Sequence, residues 1–171
     1  MKERNLAVEL LERLLKDDIR SRVKTNVVQQ AKFSELPQQS LQRYRNRAIE
    51  TAQVIEELIE MAKKFHAAAQ RGEQLGLNGD EMAFYDTLAT SEAAVRELGD
   101  ETLKAIAVEL TQKLRASVTV DWPVRETVRA RLRVMVKMLL KRYKCPPDTQ
   151  KEATDTVLRQ AESLSRAWGA L

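Results

Sequence analysis

Apolar residues recur along this chain at spacings of three and four over nearly its whole length, the period of helices that bury one face. From Asn5, a candidate N-cap, to about Val28 the marks are Leu6, Leu10 and Leu14 with Leu11 and Leu15 on one side, then Ile19, Val23 and Val27 at four-residue steps. This predicts a first helix. Ser34 is placed to cap a second, whose first turn tolerates Pro37 and whose apolar positions Leu41, Tyr44, Ala48, Ala52, Ile55, Ile59, Ala62 and Ala69 carry it to Arg71. At 1.5 Å per residue that is a rod of roughly 55 Å.

Gly72, Gly76 and Gly79 break the rod, and Asn78 or Asp80 is placed to cap a short helix carrying Met82, Tyr85 and Leu88. After a turn around Thr90 and Ser91, another short helix ends at Gly99. Asp100 opens one carrying Leu103, Ile106, Ala107, Leu110 and Leu114, which the β-branched stretch from Ser117 to Val120 should end. Asp121-Trp122-Pro123 reads as a helix start, for a helix of about twenty residues closing near Tyr143. Cys145-Pro146-Pro147 is a stop, Asp148 a cap, and Ala153, Val157, Ala161, Leu164 and Trp168 form the stripe of a last helix. The expected fold class is all-α, an irregular multi-helix bundle with one long helix and about six to eight helices in total. With no repeat, low-complexity run or Ser/Gly linker, residues 1–171 read as a single helical domain.

Composition supports the periodicity. Apolar residues make up 43%, enough to build a core, while four prolines and five glycines are too few for a turn-rich β-sandwich. One cysteine, Cys145, excludes an internal disulfide, and with one histidine, His66, a His/Cys zinc cage cannot form within the chain. No apolar stretch of membrane-spanning length and no apolar signal core is present, so the expected location is cytoplasmic, without membrane contact.

Little in the sequence resembles catalytic machinery. The glycines between Gly72 and Gly79 lie between two helices and lack the Lys-Ser/Thr pair of a phosphate-binding loop. Glu56, Glu57 and Glu60 are not joined by the Glu-x-x-His pattern of a bundle metal site and read as a solvated acidic face. His66, near a helix end, fits a dipole or packing role. Cys145 lies near a basic helix end that would favour its thiolate, yet no constellation surrounds it, so a partly buried thiol is expected. Trp122 and Trp168 read as packing anchors.

One segment stands out. Between Trp122 and Cys145 eight basic residues face a single acid, Glu126, for a net +7, which leaves the rest of the chain at −3 within its total of +4. Arg125, Arg129, Arg133, Lys137 and Lys141 follow one another at four-residue spacing, beside a face of Val124, Val128, Leu132, Met135 and Leu139. Like charges at this spacing repel by about 0.2–0.5 kcal/mol per pair. The neutraliser is either a set of acids on the last helix, such as Glu152, Asp155 and Glu162, or an external polyanion: DNA phosphates or an acidic protein partner. The modest total charge favours the internal or protein-docking reading, and no helix-turn-helix spacing points to base reading.

Several stretches also carry a family likeness. Leu10-Leu11-Glu12-Arg13-Leu14-Leu15-Lys16-Asp17-Asp18-Ile19, Arg43-Tyr44-Arg45-Asn46-Arg47-Ala48 and Glu81-Met82-Ala83-Phe84-Tyr85-Asp86-Thr87-Leu88-Ala89 contribute to it. The specific parts are Val120-Asp121-Trp122-Pro123-Val124-Arg125-Glu126 and Tyr143-Lys144-Cys145-Pro146-Pro147-Asp148. Together they resemble the C-terminal helical domain of the R (restriction) subunit of type I restriction enzymes, with Pro37 and Cys145 as departures. The resemblance implies a fragment of an ATP- and Mg-dependent DNA-translocating endonuclease whose nuclease and motor domains lie elsewhere. It implies that this part docks the motor onto the methyltransferase (modification) core. No catalytic, cofactor-binding or metal-binding residue carries over, so the fragment itself is expected to be no enzyme and to hold no cofactor.

Overall fold

A computed structural model describes the backbone of residues 2–117 and 126–169 and the side chains of residues 6–117 and 129–168. Among the described residues it is all-α, with nine helices and no strand: α1 (Lys2–Arg22), α2 (Val27–Phe33), α3 (Leu36–Arg45), α4 (Thr51–Leu75), α5 (Gly79–Ala89), α6 (Glu92–Leu98), α7 (Asp100–Ser117), α8 (Glu126–Arg142) and α9 (Pro147–Gly169). The expected starter Asp121-Trp122-Pro123, the β-branched Val118 to Val120, Val124 and Arg125 lie outside the described residues, as does the side chain of Val128.

Two expected rods are broken, one beside a long-range contact and the other by a local turn. The first helix starts at Lys2, ahead of the expected cap Asn5, and stops at Arg22 rather than near Val28. Asn26 is instead buried, with its amide donating to the Asp86 carboxylate at 2.8 Å. The second rod divides into α3 and α4. Arg47 takes a left-handed conformation (φ 56°), its N–H donates to the Tyr44 carbonyl at 3.0 Å, and that of Ala48 donates to Arg43 at 2.9 Å. This is the double closure of a Schellman motif, here with arginine where glycine is usual. Glu35, not Ser34, precedes α3, with Pro37 in its first turn.

The boundaries at Gly76, Asn78, Ser91 and Gly99 follow the sequence signals, whereas Gly72 lies inside α4, Gly79 opens α5 and Asp148 is no cap. α4 runs past Gly72 to Leu75 and ends at Gly76 (φ 69°). Asn78 caps α5 through a reciprocal box with Glu81, at 2.9 and 3.0 Å. Ser91 caps α6, and Gly99 (φ 76°) closes it. Asp148 lies within the first turn of α9, opposite the positive end of the helix dipole, rather than capping it. Lys144 (φ 61°) closes α8 by the same motif as Arg47, with Cys145 N–H to Leu140 at 2.9 Å and its own N–H to Lys141 at 3.0 Å.

The chain forms two compact units, Met1–Lys24 with Gln29–Gln74, and Thr25–Val28 with Leu75–Leu171. In the first, Val8, Leu15, Ile19, Val23, Phe33, Leu41, Ile49, Val54, Leu58 and Phe65 make the core, and Phe33 meets Phe65 edge-on at 5.2 Å. Ser40 and Arg43 of α3 bind Glu57 of α4 at 2.6 and 3.0 Å, so one of the three acids expected on a solvated face serves as a helix tie. Leu6, Leu10 and Leu14 remain exposed rather than joining Leu15 in the core.

In the second unit α5 is the central element. Every residue from Met82 to Leu88 is buried, because α5 packs against both α7 and α9, and a helix covered on several sides needs no polar face. The buried hydroxyls of Thr87, Thr111 and Ser165 donate to carbonyls one turn back, which satisfies them without a distant partner. Gln160 of α9, fully buried, accepts from the Val27 N–H at 2.9 Å and donates to the Thr25 carbonyl. It thereby fixes the Thr25–Val28 segment within this unit.

Candidate functional site

α8 is held by its inner face. Leu132, Val136, Leu139 and Leu140 are buried in the core of the second unit, with Met135 packed beside them, so the sequence-expected face of Leu132, Met135 and Leu139 also includes Val136 and Leu140. At its C-terminal end Glu109 of α7 gathers three groups: Tyr143 OH donates to it at 2.8 Å, Arg142 lies at 3.0 Å and Lys113 at 3.0 Å. Burial works to raise the Glu109 carboxyl, but the hydrogen bonds from Tyr143 and Lys113 and the charges of Lys113 and Arg142 outweigh it and hold the pKa below the ordinary value. The same bond, helped by burial, raises the pKa of Tyr143. This anchor fixes the rotation of α8, and with it the side chains turned to solvent.

The expected basic stripe divides. Arg129 forms an ion pair with Glu162 of α9. Arg133, Lys137 and Lys141 are exposed and, among the described residues, have no carboxylate within ion-pair distance. The same holds for Arg131. Among the described residues, Glu162 is the one expected acid that pairs with the stripe, and it does so with Arg129. Asp155 and Glu152 are exposed and, among the described residues, form no ion pair. Arg125 lies outside the described residues.

Between these cations runs an apolar line that the sequence reading passed over. Ala130, Val134 and Met138 follow at four-residue steps on the outer face, with Val134 57% and Met138 67% exposed. Helical geometry places Lys137 three residues from Val134 and Lys141 three from Met138 on one flank, and Arg131 three before Val134 on the other. The signal was available, since apolar residues offset by two positions from buried Val136 and Leu140 fall on the opposite side of a helix. Beside this line, Arg129, Ala130, Arg133 and Val134 face Asp155, Leu158, Arg159 and Glu162 across an open groove of about 720 Å³.

Cys145 is buried, and burial pushes its thiol pKa up, away from the reactive thiolate that a basic helix end would favour. His66 is exposed, on a groove between α1 and α4. Trp168 is a packing anchor, partly buried against the core with the Arg115 guanidinium 5.0 Å above its ring, while Trp122 is not described. No group of three or more His, Cys, Asp or Glu is placed to hold a metal among the described residues. At the glycine segment the Asn78–Glu81 box engages the backbone N–H groups of those two residues. No helix among the described residues is long and apolar enough to cross a membrane.

Comparison with known proteins identifies the arrangement. Residues 1–167 match a family model described as type I restriction enzyme HindI endonuclease subunit-like, C-terminal. The chain is 38% identical over 162 residues, 95% of its length, to the type I restriction enzyme HindI endonuclease subunit of Haemophilus influenzae. It is 33% identical over 133 residues, 77% of its length, to the putative type I restriction enzyme MjaIXP endonuclease subunit of Methanocaldococcus jannaschii. These matches span only 15% and 13% of the two relatives. No solved structure matches significantly. The chain belongs to the family of C-terminal regions of HindI-like type I restriction endonuclease subunits.

Proposed function

We propose that the chain is a non-catalytic assembly domain that docks an ATP-dependent, DNA-translocating endonuclease subunit onto the methyltransferase core of a type I restriction complex in the cytoplasm. The observation that carries this reading is family membership in the C-terminal region of type I restriction endonuclease subunits, combined with an outer α8 face on which Val134 and Met138 are exposed and Arg131, Arg133, Lys137 and Lys141 have no carboxylate within ion-pair distance among the described residues. ATP and Mg belong, on this reading, to the motor domains of the parent, which supply the force and the cleavage. This domain supplies attachment. The unpaired cations also favour a second reading, in which α8 lies along the DNA path and meets phosphates.

A competition assay tests the first reading. The isolated chain, added in excess to a reconstituted cognate complex, is expected to suppress ATP-dependent DNA cleavage by occupying the methyltransferase core, while hydrolysing no ATP itself. Undiminished cleavage at saturating chain, or ATP turnover by the chain alone, contradicts it.

A further inference from the structure

From the outer face of α8 we infer a binding surface for an acidic amphipathic helix of a partner protein. This rests on the docking reading above and names the face and the chemistry that reading leaves open. Val134 and Met138 sit one turn apart, more than half exposed, with Lys137 and Lys141 on one side, Arg131 on the other, and Arg133 a turn before Lys137. A helix that lays its own apolar line over Val134 and Met138 brings its flanking carboxylates onto these cations. The fit is one of charge as well as shape. Arg133, Lys137 and Lys141 repel one another at four-residue spacing, have no acid partner among the described residues, and gain one when the partner arrives.

The apolar line decides between occupants. DNA phosphates need the cations but gain nothing from Val134 and Met138, against which a phosphate would lose hydration without a hydrogen bond in return. A lipid surface needs a broad apolar face, and that of α8 is already buried in the core through Leu132, Val136, Leu139 and Leu140. Only an occupant with its own apolar positions uses both halves of the surface.

The test titrates the 171-residue chain into the purified cognate methyltransferase core by calorimetry, and into a short DNA duplex by fluorescence anisotropy, each at two salt concentrations. Two variants accompany the wild type: Val134→Asn with Met138→Gln, and Arg133→Gln with Lys137→Gln and Lys141→Gln. All five positions are exposed, so thermal melting should confirm that both variants stay folded. The apolar double variant is expected to lose about tenfold or more in affinity for the core and nothing for the duplex. The charge variant is expected to lose core affinity and much of its salt dependence.

If the core binds wild type and double variant equally, the α8 proposal falls while the docking reading stands. If wild type fails to bind the core, both fall. Duplex binding lost only in the charge variant would then assign the face to DNA.

Discussion

Phe84→Ala is expected to lower the stability of the chain by about 3–5 kcal/mol, the range for deleting a buried aromatic side chain and leaving a cavity. Phe84 is 1% exposed and lies in the middle of α5, the helix whose residues Met82 to Leu88 are all buried between α7 and α9. The space it leaves is walled by packed helices that can close in only in part, so the upper half of the range is expected. A domain of this size is typically stable by about 5–15 kcal/mol, which makes the loss a large share of the whole. Met138→Gln, on the exposed face of α8, serves as the control and should stay within about 0.5 kcal/mol of wild type. Urea unfolding followed by circular dichroism measures both. A loss below about 1 kcal/mol for Phe84→Ala would show that α5 is not the centre of its unit.

Gln160→Leu is the second large effect, and it acts through polarity rather than volume. The substitution keeps most of the apolar bulk of a fully buried side chain but removes the acceptor of the Val27 N–H and the strong donor to the Thr25 carbonyl. Ser163 lies 3.4 Å from that carbonyl, at the outer edge of hydrogen bonding, and replaces little of what is lost. An orphaned buried amide or carbonyl costs about 1–3 kcal/mol. Both groups are only part-buried, so a loss of about 2–4 kcal/mol, less than twice the upper penalty, is expected for the two together. Hydrogen exchange at Val27 should accelerate more than at buried amides of α5, since the strap on Thr25–Val28 is released first. Gln160→Glu should be worse, because it places a carboxylate against the Thr25 carbonyl. Unchanged exchange at Val27 in Gln160→Leu would mean that the segment is held by other contacts.

How much of this was legible depended on whether a residue's own chemistry announced its conformation. Gly76 and Gly99 end helices, and Pro147 opens one, for reasons intrinsic to those residues, and these boundaries lie where the sequence marks a break. Arg47 gives no such notice. Its left-handed turn is imposed by the closing bonds of Arg43 and Tyr44, so Ala48 and Ala52 continue the apolar period across a break that divides α3 from α4. The end of α1 was hidden for a related reason, since the burial of Asn26 depends on Asp86, sixty residues away.

The site shows the same division. Charge and spacing marked α8, and the four-residue repeat placed Arg129, Arg133, Lys137 and Lys141 along one side. Which of them is neutralised is a tertiary fact: among the described residues only Glu162 comes into ion-pair reach, and it takes Arg129. The exposure of Val134 and Met138 follows from the rotation that Leu132, Val136, Leu139, Leu140 and the Glu109 anchor impose on α8. Leu6, Leu10 and Leu14 teach the reverse lesson. Five leucines in one run look like a single buried face, yet α1 buries Val8, Leu15 and Ile19, packs Leu11 in part and leaves Leu6, Leu10 and Leu14 outside.

The central claim is that this region is an attachment domain, and sedimentation velocity tests it most directly. The chain and the cognate methyltransferase core, mixed at equimolar concentration without ATP and without DNA, should migrate as one species heavier than the core alone. Separate boundaries at the rates of the two free components, persisting as concentration is raised and salt lowered, would contradict the account.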